Sequence, residues 1–136
     1  MRALPVALIA LALAPVAVAA TGSGLVLKRV TEPPRSVAAG DDFVVKAKIK
    51  NVGPKPRRGI VTIRLIGGSG AYALPRRIGR FNTGTVEPRF FKRYTVRLTV
   101  PPDQGEGRYR LETCVKGKGT PRQCDVSKRF RVTPAR

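Results

Sequence analysis

Two cysteines and a small set of loop cations are the residues of this chain whose types and spacing could do chemistry. Cys114 and Cys124 enclose nine residues. In an oxidising compartment that spacing is most simply a structural disulfide. The alternative is two free thiols, and the C-x-x-C spacing of a redox pair is missing. Lys55, Arg57 and Arg58 lie in one Pro/Gly-punctuated connection, and Lys116, Lys118 and Arg122 lie in another. Six such cations brought to one place would focus field and draw in an anion.

Catalysis has no comparable set. The chain contains no histidine, which removes Ser-His-Asp and Cys-His nucleophile systems and the usual Cys/His zinc sites. Of the eight acids, Asp41 and Asp42 are adjacent and fit a turn better than a catalytic pair. Ser69 stands in Gly67-Gly68-Ser69-Gly70, where flexibility accounts for the glycines better than a phosphate cradle does. No lysine follows in the P-loop position. Calcium at Asp41, Asp42, Asp103 and Glu106 is opposed by the overall charge. No catalytic residue, metal ligand or cofactor is assigned, and the chain is expected not to be an enzyme.

The elements that must position these residues begin after a leader. Met1-Arg2 is a positive start, Ala3 to Ala20 is uncharged and rich in Ala, Leu and Val, and the run closes in small residues. This is the layout of a signal peptide over 1–20, with cleavage near Ala19 or Ala20. The alternative, a retained membrane anchor, fits less well because Pro5 and Pro15 interrupt an alanine-heavy run. Cleavage would leave no transmembrane segment and would place the protein outside the cytoplasm, as a secreted, periplasmic or cell-envelope domain.

Past the leader the apolar residues alternate with period two. Phe43, Val45, Ala47 and Ile49 share one face, and Lys46, Lys48 and Lys50 share the other. Val61, Ile63 and Leu65 form a second inward set, Tyr94, Val96, Leu98 and Val100 a third, and Tyr109 with Leu111 a fourth. Val126, Phe130 and Val132 are expected to close the series, with Ser127, Arg129 and Arg131 opposite. Weaker strands run from Leu25 to Val30 and from Ile78 to Phe81. Gly/Pro-rich turns separate these runs. The expected fold is all-β, an antiparallel two-sheet Ig-like sandwich of about seven strands with one hairpin disulfide; a small barrel is the alternative. Residues 21–39 read as an N-terminal strand and Pro-containing lead-in, 40–133 as the sandwich domain, and 134–136 as a tail. Tyr109, opening a strand after Gly105-Glu106-Gly107, suits the structural tyrosine corner of such sandwiches. One parity conflict remains: Cys114 falls on the outward set of its strand, whereas Cys124 falls on the inward set of the next. A bulge near Cys124, or a bond lying over the sheet edge, would resolve it.

"VAAGDDFVVKAKIKNVGPKPRRGIVTIRLI", then "VEPRFFKRYTVRLTVPPDQGEGRYRLETCV" and a closing Cys-containing strand resemble bacterial Ig-like domains of the CARDB group (cell-adhesion-related domains found in bacteria) over roughly Gly40 to Val132. The resemblance implies a turn at Asn51-x-Gly53, a Val100-Pro101 to Gly107-x-Tyr109 connection, and a Cys114–Cys124 pairing across the last hairpin. Such domains often carry an acidic, Asn-rich segment between their last two strands. Here Lys116 to Gln123 holds that place, so a cation preference does not transfer.

Charge then discriminates between functions. There are 27 Lys+Arg against 8 Asp+Glu, a net of +19. Lys46, Lys48, Lys50, Arg93, Arg97, Arg108, Arg110, Arg129 and Arg131 are outward partners of core residues, for which solvation is the default reading. The loop set is more informative. In an Ig-like path the B–C loop (Lys55, Arg57, Arg58) and the F–G loop (Lys116, Lys118, Arg122) meet at one end. Five of the eight acids, Glu32, Asp41, Asp42, Asp103 and Glu106, gather at the other, which predicts a charge dipole with a cationic tip. The expected function is an exported, non-enzymatic, adhesion-type binding module. Its expected partner is an anionic envelope polymer, an anionic lipid surface or an acidic protein. A nucleic-acid or polyanion binder is the second reading, weakened by the scarcity of free aromatics. A purely structural or assembly subunit is the third.

Overall fold

The computed structural model describes residues 24–136, so the leader expected at 1–20 lies outside the described residues. Nine strands follow in order: β1 (Leu25–Val30), β2 (Ser36–Ala38), β3 (Asp42–Asn51), β4 (Gly59–Gly67), β5 (Arg76–Asn82), β6 (Phe91–Thr99), β7 (Gly107–Gly117), β8 (Gln123–Val126) and β9 (Phe130–Thr133). They form two sheets. One is β1-β3-β6, and the other is β2-β9-β7-β4-β5 with β8 also paired to β7. The architecture is the expected all-β two-sheet sandwich. Its count is about seven because β1/β2 and β8/β9 are each one strand path interrupted. The described part of the expected lead-in supplies an edge strand to each sheet.

Alternation places the core. Val45 and Ile49 on β3, Val61 and Ile63 on β4, and Val132 on β9 have no exposed surface at all. Tyr109, Leu111 and Val115 on β7 pack with them. Phe43 and Phe130 join the two layers with ring centroids 6.0 Å apart. Between β1 and β2 the chain crosses from one sheet to the other at Pro33-Pro34, which lack the N–H groups a ladder needs. It keeps its direction, so β2 lies parallel to β9 while the other strand pairs are antiparallel.

The parity conflict is resolved by one extra residue. Glu112 opposes Val126 and Tyr109 opposes Phe130, so four steps on β8/β9 match three on β7. Ser127 sits in the break. Its Oγ accepts a hydrogen bond from the Leu111 N–H at 2.9 Å and donates to the Lys128 carbonyl at 2.7 Å. The interruption corrects two expectations. Val126 is not an inward residue but stands outside, 44% exposed, and Ser127 is not outward but buried. Cys114 and Cys124 are thereby directly opposite each other and disulfide-bonded, with Cα atoms 4.0 Å apart.

The glycines of the β4–β5 connection also have a reason other than flexibility. Gly67, Gly68 and Gly70 have φ of 95°, 83° and 59°, and a Cβ on Gly68 would meet the Tyr109 ring at 2.8 Å.

Closing the loop between Cys114 and Cys124 stabilises the fold by about 2.7 kcal/mol through the entropy of the unfolded chain. The double variant Cys114→Ala/Cys124→Ala is expected to lose about that much in urea-unfolding measurements while keeping its strand signal in far-UV circular dichroism.

Candidate functional site

One end of the sandwich is assembled around a fully buried amide. Asn51, the last residue of β3, donates from Nδ2 to the carbonyls of Lys55 at 2.6 Å and Val86 at 2.9 Å. Its Oδ1 accepts the Gly53 N–H at 3.0 Å, closing the Asn51-x-Gly53 turn. Its own backbone is bonded to Arg89 N–H and Phe90 C=O. One side chain therefore holds the β3–β4 loop against the β5–β6 loop. Further bonds complete the junction. Thr83, also buried, accepts the Gly59 N–H, and the Tyr94 hydroxyl donates to the Thr83 carbonyl at 2.8 Å. Burial pushes the Tyr94 phenol above its ordinary value.

Around that hub the six expected tip cations divide. Lys55 and Arg58 are exposed on the β3–β4 loop and Lys118 on the β7–β8 loop. Arg57 links the two by donating to the Lys118 carbonyl at 3.3 Å, and its Nε is buried without a hydrogen-bond partner. Arg58 donates to Thr85 at 2.9 Å. Lys116 and Arg122 do not join this group. They lie on the outer face of the larger sheet, where Lys116 Nζ donates to the Thr120 carbonyl and Arg122 reaches Cys114 Sγ at 3.2 Å. The physical reason is register: Lys116 opposes Ile60, which also faces outward.

Sequence reasoning missed Arg89, which takes the left-handed conformation at φ 67° and donates to the Val52 carbonyl at 2.6 Å. It also missed the neighbouring Phe90, which is 67% exposed. Arg89-Phe90-Phe91-Lys92-Arg93 does carry an interleaved basic–aromatic signal, but it reads equally well as the start of a strand.

The opposite end differs from the expected dipole. Asp103 pairs with Arg76 at 3.0 Å, Asp42 with Arg97 at 2.9 Å, Glu106 with Arg131 at 3.0 Å and Asp41 with Arg136 at 3.3 Å. Glu32 accepts the Lys128 N–H at 2.8 Å. That end is mixed rather than negative, because arginines at strand ends and at the C-terminus reach over the acids. The tip is the one-sided end: Lys55, Arg57, Arg58, Arg89 and Lys118 have no acidic partner among the described residues, and Glu87 is the acid in their loops.

The remaining candidates have structural surroundings. Tyr109 donates its hydroxyl proton to the Gly105 carbonyl at 2.7 Å, the bond a tyrosine corner makes, and its ring is buried. Among the described residues, the group of acid and thiol side chains close enough to share an ion is Glu112 with Cys114 and Cys124, and both sulfurs are used in the disulfide.

Comparison with known proteins adds the fold alone. No family model matches the chain, and no curated protein matches it. Among solved structures, a β-glucosidase from Listeria innocua superposes with a TM-score of 0.63 at 16% identity over 83% of this chain. The match spans only 16% of the glucosidase. A CARDB domain from Pyrococcus furiosus, solved in complex with di-metal ions, superposes with a TM-score of 0.52 at 18% identity, over 82% of this chain and 87% of its own. An alkylpurine DNA glycosylase from Pseudomonas fluorescens, bound to DNA containing an abasic site analog, gives 0.55 at 14% identity over 82% of this chain and 31% of its own. The CARDB domain matches over nearly its whole length, whereas in the two enzymes the similar fold is a minor part.

Two expectations follow for the hub. Asn51→Ala leaves the Lys55 and Val86 carbonyls and the Gly53 N–H without their partner, and is expected to destabilise by about 2–4 kcal/mol in denaturant unfolding. Tyr94 gives a pH signature. The unfolded phenol ionises near pH 10 while the folded one holds its proton, so its contribution is intact below that pH and declines as pH rises through the folded value. The thermal midpoint of the wild type should therefore fall more steeply above about pH 10 than that of Tyr94→Phe, in melts followed by circular dichroism.

Proposed function

We propose that this chain is an exported, non-enzymatic, CARDB-like binding module whose three-loop tip docks on an anionic partner, an acidic envelope component or an acidic protein. The observation that carries the reading is the tip itself. Five cations from three loops surround a buried amide hub without an acidic partner among the described residues, while Asp41, Asp42, Asp103, Glu106 and Glu112 elsewhere are each matched by an arginine. Cations already satisfied by carboxylates have little left to offer a ligand; these five keep their charge for one. The similarity to the CARDB domain of a Pyrococcus furiosus protein supports an adhesion-type module. The lack of histidine and the engagement of five of the eight acids by arginines support the absence of catalysis.

Exposed Phe90, next to Arg89 on the β5–β6 loop, adds an apolar contact to the cationic tip, by which a contact gains shape as well as charge. An acidic protein or a headgroup-bearing surface would use both. A nucleic acid would find Phe90 open but the neighbouring Phe91 ring already occupied by Lys48 and Arg93, where a stacking platform needs several free rings.

A pull-down from envelope extract at moderate salt should enrich an acidic component. The variant Lys55→Gln/Arg58→Gln/Lys118→Gln should weaken binding of that component, or of phosphatidylglycerol-containing vesicles, by at least about tenfold. Binding that persists at about 0.5 M salt, where the screening length is about 4 Å, would mark recognition by shape; binding that vanishes equally for every polyanion would mark charge alone.

A further inference from the structure

The outer face of the larger sheet holds a second cationic feature, and its geometry is distinct from the tip. β4 runs between β5 and β7, and its outward residues Ile60, Thr62 and Arg64 form a neutral-to-basic floor. Register sets the banks. Arg77 lies opposite Arg64 and Arg80 opposite Thr62 on the β5 side, while Lys116 lies opposite Ile60 and Cys114 opposite Thr62 on the β7 side. Arg122 covers the disulfide from the β7–β8 turn, with a nitrogen 3.2 Å from Cys114 Sγ. The result is an open trough of about 630 Å³, with banks two strand spacings, about 10 Å, apart.

Both banks depend on irregular ladders. Arg77 and Arg80 are three residues apart, which strict alternation would send to opposite faces. A register shift between Ile63 and Arg64 leaves Ile78 as an extra residue on β5, and both arginines then face the trough. The extra residue in β8/β9 similarly puts Cys124 beside Cys114 and lets Arg122 lie over the same face. Bulges that re-aim side chains are characteristic of functional surfaces.

Four of the five cations are arginines, and among the described residues no aromatic ring lines the trough. Stacking of bases or sugar rings is therefore not served. Glu112 is the nearby acid, and it is occupied by Arg64 and lies 3.7 Å from Arg122. Arg64 Nε is buried and has no hydrogen-bond partner among the described residues, so the guanidinium in the floor keeps donor capacity that Glu112 does not use. A carboxylate can be satisfied by a single guanidinium fork. A tetrahedral phosphate presents oxygens in two directions and suits cations on two banks. The other basic sheet face, around Arg29, Lys46, Lys48 and Arg93, lacks this form. There Lys48 and Arg93 sit over the Phe91 ring at 4.1 and 5.1 Å.

We propose that the β5–β4–β7 trough is a binding site for an extended, base-free phosphate polymer, held between Arg77 and Arg80 on one bank and Lys116 and Arg122 on the other, with Arg64 in the floor. This site is separate from the loop tip and does not depend on it.

The test uses linear inorganic polyphosphate as probe, with fluorescence-anisotropy competition at several salt concentrations. Two charge-matched variants are compared, Arg77→Gln/Arg80→Gln/Lys116→Gln in the trough and Arg29→Gln/Lys46→Gln/Lys48→Gln on the outer face of the other sheet, each checked for an unchanged thermal midpoint. The trough variant should bind at least about tenfold more weakly, with the log–log salt slope reduced by about 1 for each phosphate contact removed. The other variant should lose less than about threefold, the share due to net charge alone. Equal losses in the two variants would overturn the site. Polyglutamate or single-stranded DNA competing as well as polyphosphate would overturn its assignment to a base-free phosphate chain. Loss of acidic-partner binding in the tip variant with polyphosphate binding retained would leave the trough standing, and the converse would leave the tip standing.

Discussion

A chain with 27 cations and 8 acids can close a two-sheet core only if every charge stays outside it. Burying an unpaired ammonium or guanidinium would outweigh what several core side chains contribute. The structure meets this constraint through period-two alternation: among the described residues, the buried polar side chains are Asn51, Thr83, Gln104, Thr113, Thr120 and Ser127, none of them charged. Cations accumulate on the outer faces and loops as a consequence. The scarcity of acids then decides which of them are matched. Asp41, Asp42, Asp103 and Glu106 each take one arginine at one end, Glu112 takes Arg64, and the tip, the trough and the outer face of β1, β3 and β6 are left with excess charge.

Departures from alternation shape those two places. Asn51 ends its strand with an inward amide where an apolar residue would continue the pattern, and that amide pins two loops together. Ser127 fills the ladder's extra position with a hydroxyl that satisfies the Leu111 N–H. Ile78 does the equivalent on β5 with a side chain packed against the core, turning two arginines to the same face. Each irregularity is held by a specific contact, hydrogen bonds at Asn51 and Ser127 and core packing at Ile78, so it is a fixed part of the architecture.

Strands with strict alternation, such as Phe43–Ile49 and Tyr94–Val100, were legible from residue types because one face must be buried and the period is two. The cysteine pair was legible from spacing. The outward position of Val126 was not, because alternation carries no information about where an extra residue enters. The parity conflict at Cys124 pointed to such an insertion without placing it. The split of the six loop cations was hidden for a related reason. Lys116 and Arg122 are adjacent in sequence to a loop, but their direction is set by the register of β7 with β4 and by the disulfide beneath Arg122. Arg77 and Arg80 were masked by the same device, and the pairing of the acids depended on arginines distant in sequence.

The central claim is that binding capacity resides in how unmatched cations are arranged, converging on one tip or flanking one trough, and not in the net charge. Amide chemical-shift mapping of the isotopically labelled protein during titration with polyphosphate tests it most directly. The account predicts shifts concentrated on the outward residues of β4, β5 and β7 and on the turn carrying Arg122, with the cationic outer face of β1, β3 and β6 nearly silent. Shifts of equal size over both outer faces would contradict it.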